Sequence, residues 1–291
     1  MTNISKVIPE SELVLNQDGS IYHLNLLPED IADTIITVGD PERVAEVSKY
    51  FDRVELRKGK REFISHTGYI GAGRITVLST GIGTDNIDIV LNELDALANI
   101  DLRTREVRTE KKVLDIIRIG TSGTLREEIP LNAHLFSERA IGLEGLMNFY
   151  CPEFDEEEKA MQGYVQELLQ PEFHFLHPYV VKGSASLAGR VAFDMIPGLT
   201  ATCQGFYAPQ GRELRAQTSH HILNRLRMID HEGKRVTNFE METAGILGMA
   251  KLFGHRACSV SLILANRVNN TFSKEPGEEM EKLIRKVLER L

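Results

Sequence analysis

Apolar residues in this chain fall into short β-branched runs that alternate with stretches of helical period. Residues 35–38 (Ile-Ile-Thr-Val) form one such run and stop at Gly39-Asp40-Pro41. Residues 41–50 then take on helical character, with Pro41 in the first turn and Asp40 just before it, a favourable helix entry. Residues 74–79 make a second strand, followed by Thr80-Gly81-Ile82-Gly83. Over residues 86–97, Ile87, Val90, Leu91, Leu94 and Leu97 share one side of a helix. A third strand, residues 113–119, is expected to end at Gly120-Thr121-Ser122-Gly123. Strands alternating with helices predict an α/β protein with a mainly parallel sheet.

The middle of the chain is less regular. Residues 101–112 are strongly charged and read as an extended turn or an extra helix end. Residues 151–159 carry an acidic run that reads as a solvated face. Residues 179–184 read as a strand and 191–209, rich in glycine and aromatics, as a loop. Residues 239–252 are expected to be helical through Met241, Ala244, Leu247 and Ala250. A buried strand at 258–264 and an amphipathic helix at 278–291 close the chain. No repeat, low-complexity tract or linker interrupts it, so one domain over residues 1–291 is expected.

Composition narrows the class. The 291 residues are 42% hydrophobic and 26% charged, ordinary globular values. The net charge of −8 argues against a nucleic-acid binder, which is usually basic. Cys151, Cys203 and Cys258 are odd in number and scattered, with no metal or redox spacing. Residues 1–20 are polar, and no apolar run approaches the ~20 residues that span a bilayer. A cytoplasmic setting with no membrane partner is expected.

Three strand ends finish in glycine-bearing turns, where an open α/β sheet places its ligands. Glycine allows backbone N–H groups to approach an anion, and helix starts favour negative charge. Arg43 and Arg118 flank two of the turns, and a guanidinium suits bidentate phosphate contact. Alone, each turn reads more readily as structural. None is followed by the Gly-Lys-Ser/Thr of a Walker loop. The doublet His220-His221, and His174 with His177, read as surface or packing residues rather than metal ligands. Glu240 and Glu242, two apart on a helix or its start, are expected to point in different directions.

Taken together, the turns bring a resemblance into view. Gly39-Asp40-Pro41-Glu42-Arg43 resembles the phosphate loop of the nucleoside phosphorylase family. Arg118-Ile119-Gly120-Thr121-Ser122-Gly123 is similar to that family's Arg-Ile-Gly-Thr-x-Gly strand end. Phe239-Glu240-Met241-Glu242-Thr243-Ala244 resembles its ribose motif. Lys60-Arg61-Glu62-Phe63 and Tyr22-His23-Leu24 resemble the segments that reach a neighbouring subunit's site. The matches run in family order from about residue 22 to 267. Phe206-Tyr207-Ala208-Pro209-Gln210-Gly211-Arg212 is similar to the base loop of the uridine phosphorylase type. Asn266 stands where purine-cleaving members have an aspartate acid.

The resemblance implies a three-layer α/β/α sandwich around a central mixed, partly barrel-like sheet. It implies phosphorolysis of a pyrimidine nucleoside, most simply uridine, with inorganic phosphate as co-substrate and no cofactor. Gly39, Arg43, Arg61, Arg118 and Thr121 would bind phosphate. His23, Thr121, Met241 and Glu242 would bind ribose. Phe206, Gln210 and Arg212 would bind the base, and Arg118, Arg212 and Glu242 would carry the chemistry. It also implies a homodimer, or a hexamer built from dimers, with shared sites. A monovalent cation such as potassium would belong at the dimer interface near Glu62, Ile82 and Asn86. Another nucleoside as substrate, or a nucleoside-binding protein without catalysis, are the alternatives. Thr84-Asp85-Asn86 departs from the family's usual Gly/Ala-Pro-Ser, and Asp85 there would either oppose phosphate or cap the following helix.

Overall fold

A computed structural model describes residues 7–218 and 221–291. His220 of the histidine doublet therefore lies outside the described residues. In chain order the elements are β1 (Thr34–Val38), α1 (Pro41–Ser48), β2 (Arg53–Lys60), β3 (Phe63–Ile70), β4 (Gly73–Ser79), α2 (Thr84–Asn99), β5 (Ile100–Asp101), β6 (Glu106–Val107) and β7 (Asp115–Thr124). There follow β8 (His134–Gly142), α3 (Glu156–Phe173), β9 (Tyr179–Lys182), α4 (Ala185–Val191), β10 (Ile196–Thr202), α5 (Ile222–Met228) and β11 (Asp230–His231). The last are β12 (Lys234–Glu240), α6 (Thr243–Phe253), β13 (Arg256–Asn266), β14 (Thr271–Phe272) and α7 (Pro276–Leu288).

A 12-stranded sheet organises the molecule, in the order β11-β12-β10-β8-β13-β7-β1-β4-β3-β2, with β14 on β13 and β9 on β8. An additional pairing of β12 with β7, Phe239 opposite Gly123, closes β12, β10, β8, β13 and β7 into a ring. The rest of the sheet leaves this ring as an open wing beside β7. Strands β1, β4, β7 and β13 run parallel to one another, while β8 and β12 run against β13 and β7. The mixed, partly barrel-like sheet implied by the resemblance is thus the sheet the chain forms.

Three apolar clusters hold helices to the sheet. Ile87, Leu91 and Leu94 of α2 meet Ile246, Leu247 and Ala250 of α6 on one face. Val44 and Val47 of α1, Leu187 of α4, and Leu283, Ile284 and Val287 of α7 cover the other. Met161, Val165 and Leu169 of α3 pack with Ile222 and Leu226 of α5 over the ring. Each such fully buried aliphatic side chain contributes ~1.5–3 kcal/mol relative to exposure.

Several expectations need correction. The strand at 113–119 continues through the glycines to Thr124, because Gly120 to Gly123 pair with β13 along their length. Within the stretch read as a loop, residues 196–202 form β10, an internal strand between β8 and β12. Its Pro197 and Gly198 disguise it, and its polar Thr200 and Thr202 are buried with satisfied hydroxyls, bonded to Asn238 and Glu240. Pro197 sits near the strand's start, where a missing N–H is tolerated. The helix expected from 239 begins at Thr243, and Phe239 and Glu240 end strand β12. The acidic run is not wholly solvated. Glu158 is fully buried, closes a capping box with Asp155 at the start of α3, and pairs with Lys251. Residues 101–112 hold three of the four residues of the small β5-β6 ladder, Asp101, Glu106 and Val107. Finally, Gly83, not Asp85, is the N-cap of α2.

Candidate active site

One cavity of about 680 Å³ gathers most of the singled-out residues: Gly39 and Arg43, Arg118 and Thr121, Phe206, Gln210 and Arg212, and Met241 with Glu242. The carboxyl ends of β1 and β4, the second half of β7 and the end of β12 build its walls. Where β1 turns into α1, Asp40 accepts a hydrogen bond from the Glu42 N–H (2.9 Å) and fixes the helix start. Arg43 leaves the first turn of α1 into the cavity. Its Nε is buried without a hydrogen-bond partner, and among the described residues its one carboxylate contact is a long one to Glu46 (3.9 Å). Burial lowers the Arg43 pKa from its usual value, and the nearby Arg118 lowers it further. Two guanidiniums facing one cavity, one of them with an unpartnered donor, are a donor set whose chemistry suits a tetrahedral oxyanion.

Arg118 joins this anion site to a carboxylate pair. Its Nη2 lies 2.6 Å from Glu242 Oε2 and 3.0 Å from Glu240 Oε2. Burial works against the charge of Arg118, but Glu240 and Glu242 overcome it and raise its pKa above the usual value. Gly120 makes room for this arrangement, since a Cβ there would lie 1.9 Å from Arg118 Nη1. The expectation that Glu240 and Glu242 diverge is therefore wrong. They sit on a strand end and a helix cap, so helical spacing does not apply, and both meet Arg118.

The two carboxylates differ in task. Glu240 Oε2 accepts from the N–H groups of Glu242 and Thr243 (both 2.9 Å), and its Oε1 accepts from Thr202 Oγ1 (2.7 Å). These are the first N–H groups of α6, so Glu240 fastens that helix to the ring. Glu242 Oε1 accepts from the Gly83 N–H (2.8 Å) in the turn after β4. Burial raises the Glu242 pKa, while Arg118 and the Gly83 bond oppose that rise. Among the described hydrogen bonds, Glu242 uses one bond per oxygen, leaving lone pairs for hydroxyl donors.

Next to Glu240 lies the loop after β10, where Gln210 Nε2 donates to the Glu240 carbonyl (3.5 Å). Gln210 is 3% exposed on a short 3₁₀ turn, Ala208–Gln210. Arg212 Nη1 donates to Gln210 Oε1 (2.5 Å) and to the Phe206 carbonyl (2.7 Å), and its guanidinium lies 3.8 Å from the Phe206 ring centre. Arg267, which the sequence reading passed over, clamps the loop by donating to the carbonyls of Gln210 (3.3 Å) and Gly211 (3.1 Å). Only its position after the last buried strand could have signalled it.

His23 and Arg61 are not among the residues lining the cavity. His23 Nδ1 lies 2.7 Å from Glu93 Oε1, and Arg61 stands exposed with a φ of +57° at the turn between β2 and β3. Asp85 is exposed and also outside the lining. Asn266 is 3% exposed and holds the Arg126 and Ile129 carbonyls (3.1 and 3.2 Å). His174 and His177 are exposed, and among the described residues no group of three or more His, Cys, Asp or Glu could hold a metal ion.

A further carboxyl lies beside the site. Burial pushes the Glu144 pKa up to about 7, against hydrogen bonds from the Tyr179 hydroxyl and the Gly145 N–H. The folded protein then holds a proton there that the unfolded chain has released, from pH about 4.5 to 7. Glu144 therefore opposes folding above pH 7, and this cost fades as pH falls toward 4.5. Glu144→Gln is expected to raise stability at pH 8 by up to roughly 2 kcal/mol, discounted for partial exposure. Denaturation midpoints of both proteins across this pH range check it, and the two curves should converge in acid.

The ring-and-wing sheet thus gathers two guanidiniums, a carboxylate pair and a Gln–Arg loop in one cavity at its strand ends, which defines an α/β protein with a single large polar cleft among the described residues. A family model described as the Phosphorylase superfamily matches residues 33–291, and the chain belongs to that family. It is 29% identical to the uridine phosphorylase of Thermococcus kodakarensis, over 90% of this chain and 83% of that protein. It is 24% identical to a purine nucleoside phosphorylase of Buchnera aphidicola, over 93% and 98% of the two chains. Among solved structures, a Trypanosoma brucei nucleoside phosphorylase described as showing uridine phosphorylase activity superposes with a TM-score of 0.86 at 27% identity, covering 96% of this chain and 99% of that one.

Proposed function

We propose that the protein cleaves uridine by phosphorolysis, yielding uracil and ribose 1-phosphate. The observation that carries this reading is the order of groups in one cavity. Arg43, with its unpartnered Nε, neighbours Arg118, Arg118 pairs with Glu242 and Glu240, and the Glu240 carbonyl meets Gln210, which holds Arg212, so the groups follow one another along a single cavity. That order matches phosphate, ribose and uracil in turn.

Phosphate is the nucleophile, so the protein needs none. Arg43, Arg118, Thr121 and the Gly39 N–H hold phosphate beneath C1′. Such positioning supplies up to ~7–11 kcal/mol in favourable systems. Glu242 accepts the ribose hydroxyls with help from the Met241 N–H, and its charge faces the positive character that develops on the sugar. As the C1′–N bond breaks, electrons move onto the base, where Gln210 and the Arg212 guanidinium receive them as hydrogen-bond donors. Phe206, half exposed beside Arg212, offers a face for the base or sugar.

Purine cleavage is the nearest rival. Asn266 argues against it, since its amide is occupied by backbone carbonyls and provides no acid for a purine ring. A binding protein without catalysis finds no support in Asp85, which is exposed and does not line the cavity. The test is loss of uridine with and without phosphate, run beside inosine and thymidine. Uridine loss only with phosphate supports the proposal. Equal loss without phosphate, or preference for inosine, overturns it.

The site is completed across a homodimer, alone or within a hexamer, in this proposal. His23 and Arg61 lie outside their own cavity and would serve a neighbour's. Arg61→Ala is expected to weaken phosphate KM about tenfold with an unchanged denaturation curve, and unchanged phosphate KM would refute the shared site. Near the mouth, a Cβ on Gly81 would sit 2.4 Å from Asn86 Nδ2 and 3.1 Å from Glu62 Cγ, so these groups cluster with Ile82. One carboxylate, one amide oxygen and a backbone carbonyl are oxygen donors that suit an alkali cation such as potassium.

A further inference from the structure

Among the described residues, three guanidinium nitrogens are buried without a hydrogen-bond partner: Arg43 Nε, Arg126 Nη2 and Arg139 Nε. The first belongs to the cavity described above. The other two belong to residues lining a second cavity of about 310 Å³ that shares no lining residue with it. This cavity runs along the first halves of β10 and β12. There β10 shifts register against β8 between Gly198 and Leu199, and against β12 between Leu199 and Thr200. A bulge bends a strand and opens the sheet locally.

Charge in this cavity runs against the protein as a whole. Arg126, Arg139, Lys234 and Arg235 line it, against Glu128 and Glu138, in a chain of net charge −8. Glu128 is engaged by Arg235 (3.0 Å), and Arg139 Nη2 reaches Glu157 (2.7 Å). Among the described residues, Arg126 has no carboxylate within ion-pair distance. It is held by backbone carbonyls, Nε to Val236 (2.7 Å) and Nη1 to Arg227 (3.5 Å). Burial lowers its pKa, and Arg235 and Arg227 add like-charge repulsion. Glu128 and Asp230 offset this only from beyond ion-pair distance, and a half-buried cation fixed beside other cations without a direct counter-ion is costly unless an anion completes it. Arg43 beside Arg118 shows the same combination: an idle guanidinium nitrogen, a like-charged neighbour and an open cavity.

We propose that this second cavity is an oxyanion site for a tetrahedral dianion, either inorganic phosphate or a phosphate monoester, held by Arg126 with Arg139, Lys234 and Arg235. Its volume leaves room for an organic group beyond the phosphate. Guanidiniums favour this chemistry through paired, charge-assisted hydrogen bonds. The site is independent of the uridine reading, because none of its residues takes part in that chemistry.

Calorimetric titration of the intact protein with inorganic phosphate, and separately with glycerol 3-phosphate, tests the idea. Two classes of site per chain are expected with at least one of the two probes, and the probe that binds tighter identifies the ligand source. Arg126→Gln should remove the second class and leave the phosphate KM of the enzyme unchanged. Arg43→Gln should do the reverse. Because Arg126 also supports the backbone, Arg235→Glu at the exposed rim is the second variant. It should weaken the second class about tenfold or more, while the lost Glu128 pair at this exposed position lowers stability only slightly. A single class with both probes, or a second class that survives both Arg126→Gln and Arg235→Glu, overturns the proposal.

Discussion

Arg118→Ala should remove measurable uridine phosphorolysis and also cost about 3–5 kcal/mol of folding stability. Both effects come from one guanidinium. Arg118 is 6% exposed, and Glu240 and Glu242, at 5% and 6%, both depend on it for compensation. Without it, two buried carboxylates face each other, and one must take up a proton or the turn into α6 must open. Stability of the variant should therefore fall as pH rises, because protonated carboxyls no longer repel. Arg118→Lys separates the two roles. A lysine keeps the charge and so much of the stability, but as a point charge it cannot bridge phosphate and Glu242 with a planar fork. We expect Arg118→Lys to lose about 10²–10³ in kcat, the scale of removing one preorganised donor. Urea denaturation with uridine turnover on the same samples checks both. A stable Arg118→Ala with intact carboxylate charge would contradict the ion-pair geometry.

What the sequence disclosed divides by distance along the chain. The phosphate loop was legible because Asp40, Pro41 and Arg43 act within one helical turn, through local capping and dipole effects. Arg118 and Glu242 could be picked out as members of short motifs. Their mutual contact could not, since it joins β7 to the start of α6 and exists only because β12 pairs with β7. The same holds for the bond from the Gly83 N–H to Glu242 and for the clamp of Arg267 on the base loop. The fold shows a parallel pattern. Strands β1, β4 and β13 announced themselves by short runs dominated by apolar and β-branched residues. Strand β10 did not, because its buried face is made from threonines whose hydroxyls are satisfied by Ser137, Asn238 and Glu240. Polar residues in a strand interior read as loop unless their partners are known. The helix predicted from 239 failed for a related reason. The period of α6 extends backward by chance, while Glu240 works as a helix anchor from outside the helix.

Glu242→Gln is the second substitution with a large expected effect, and Glu240 gives it a control. The isosteric amide keeps the shape of Glu242 and its acceptor oxygen, but removes the charge facing the developing positive sugar. It also turns one acceptor oxygen into a donor that opposes Arg118 and the ribose hydroxyls. A loss of about 10²–10³ in kcat is expected, with a smaller change in uridine KM. Glu240→Gln should act indirectly. Its carboxylate accepts three hydrogen bonds, from Thr202, Glu242 and Thr243, and pairs with Arg118, and an amide cannot accept at all of these points. The start of α6 loosens and Glu242 loses its position, so stability falls as well as rate. The double variant should then lose little more than Glu242→Gln alone in kcat, because Glu240 works through Glu242 and Arg118. Additive losses in such a cycle would instead give Glu240 its own contact with the reacting groups. Steady-state rates of the four proteins, with denaturation curves to account for folding, decide between the two.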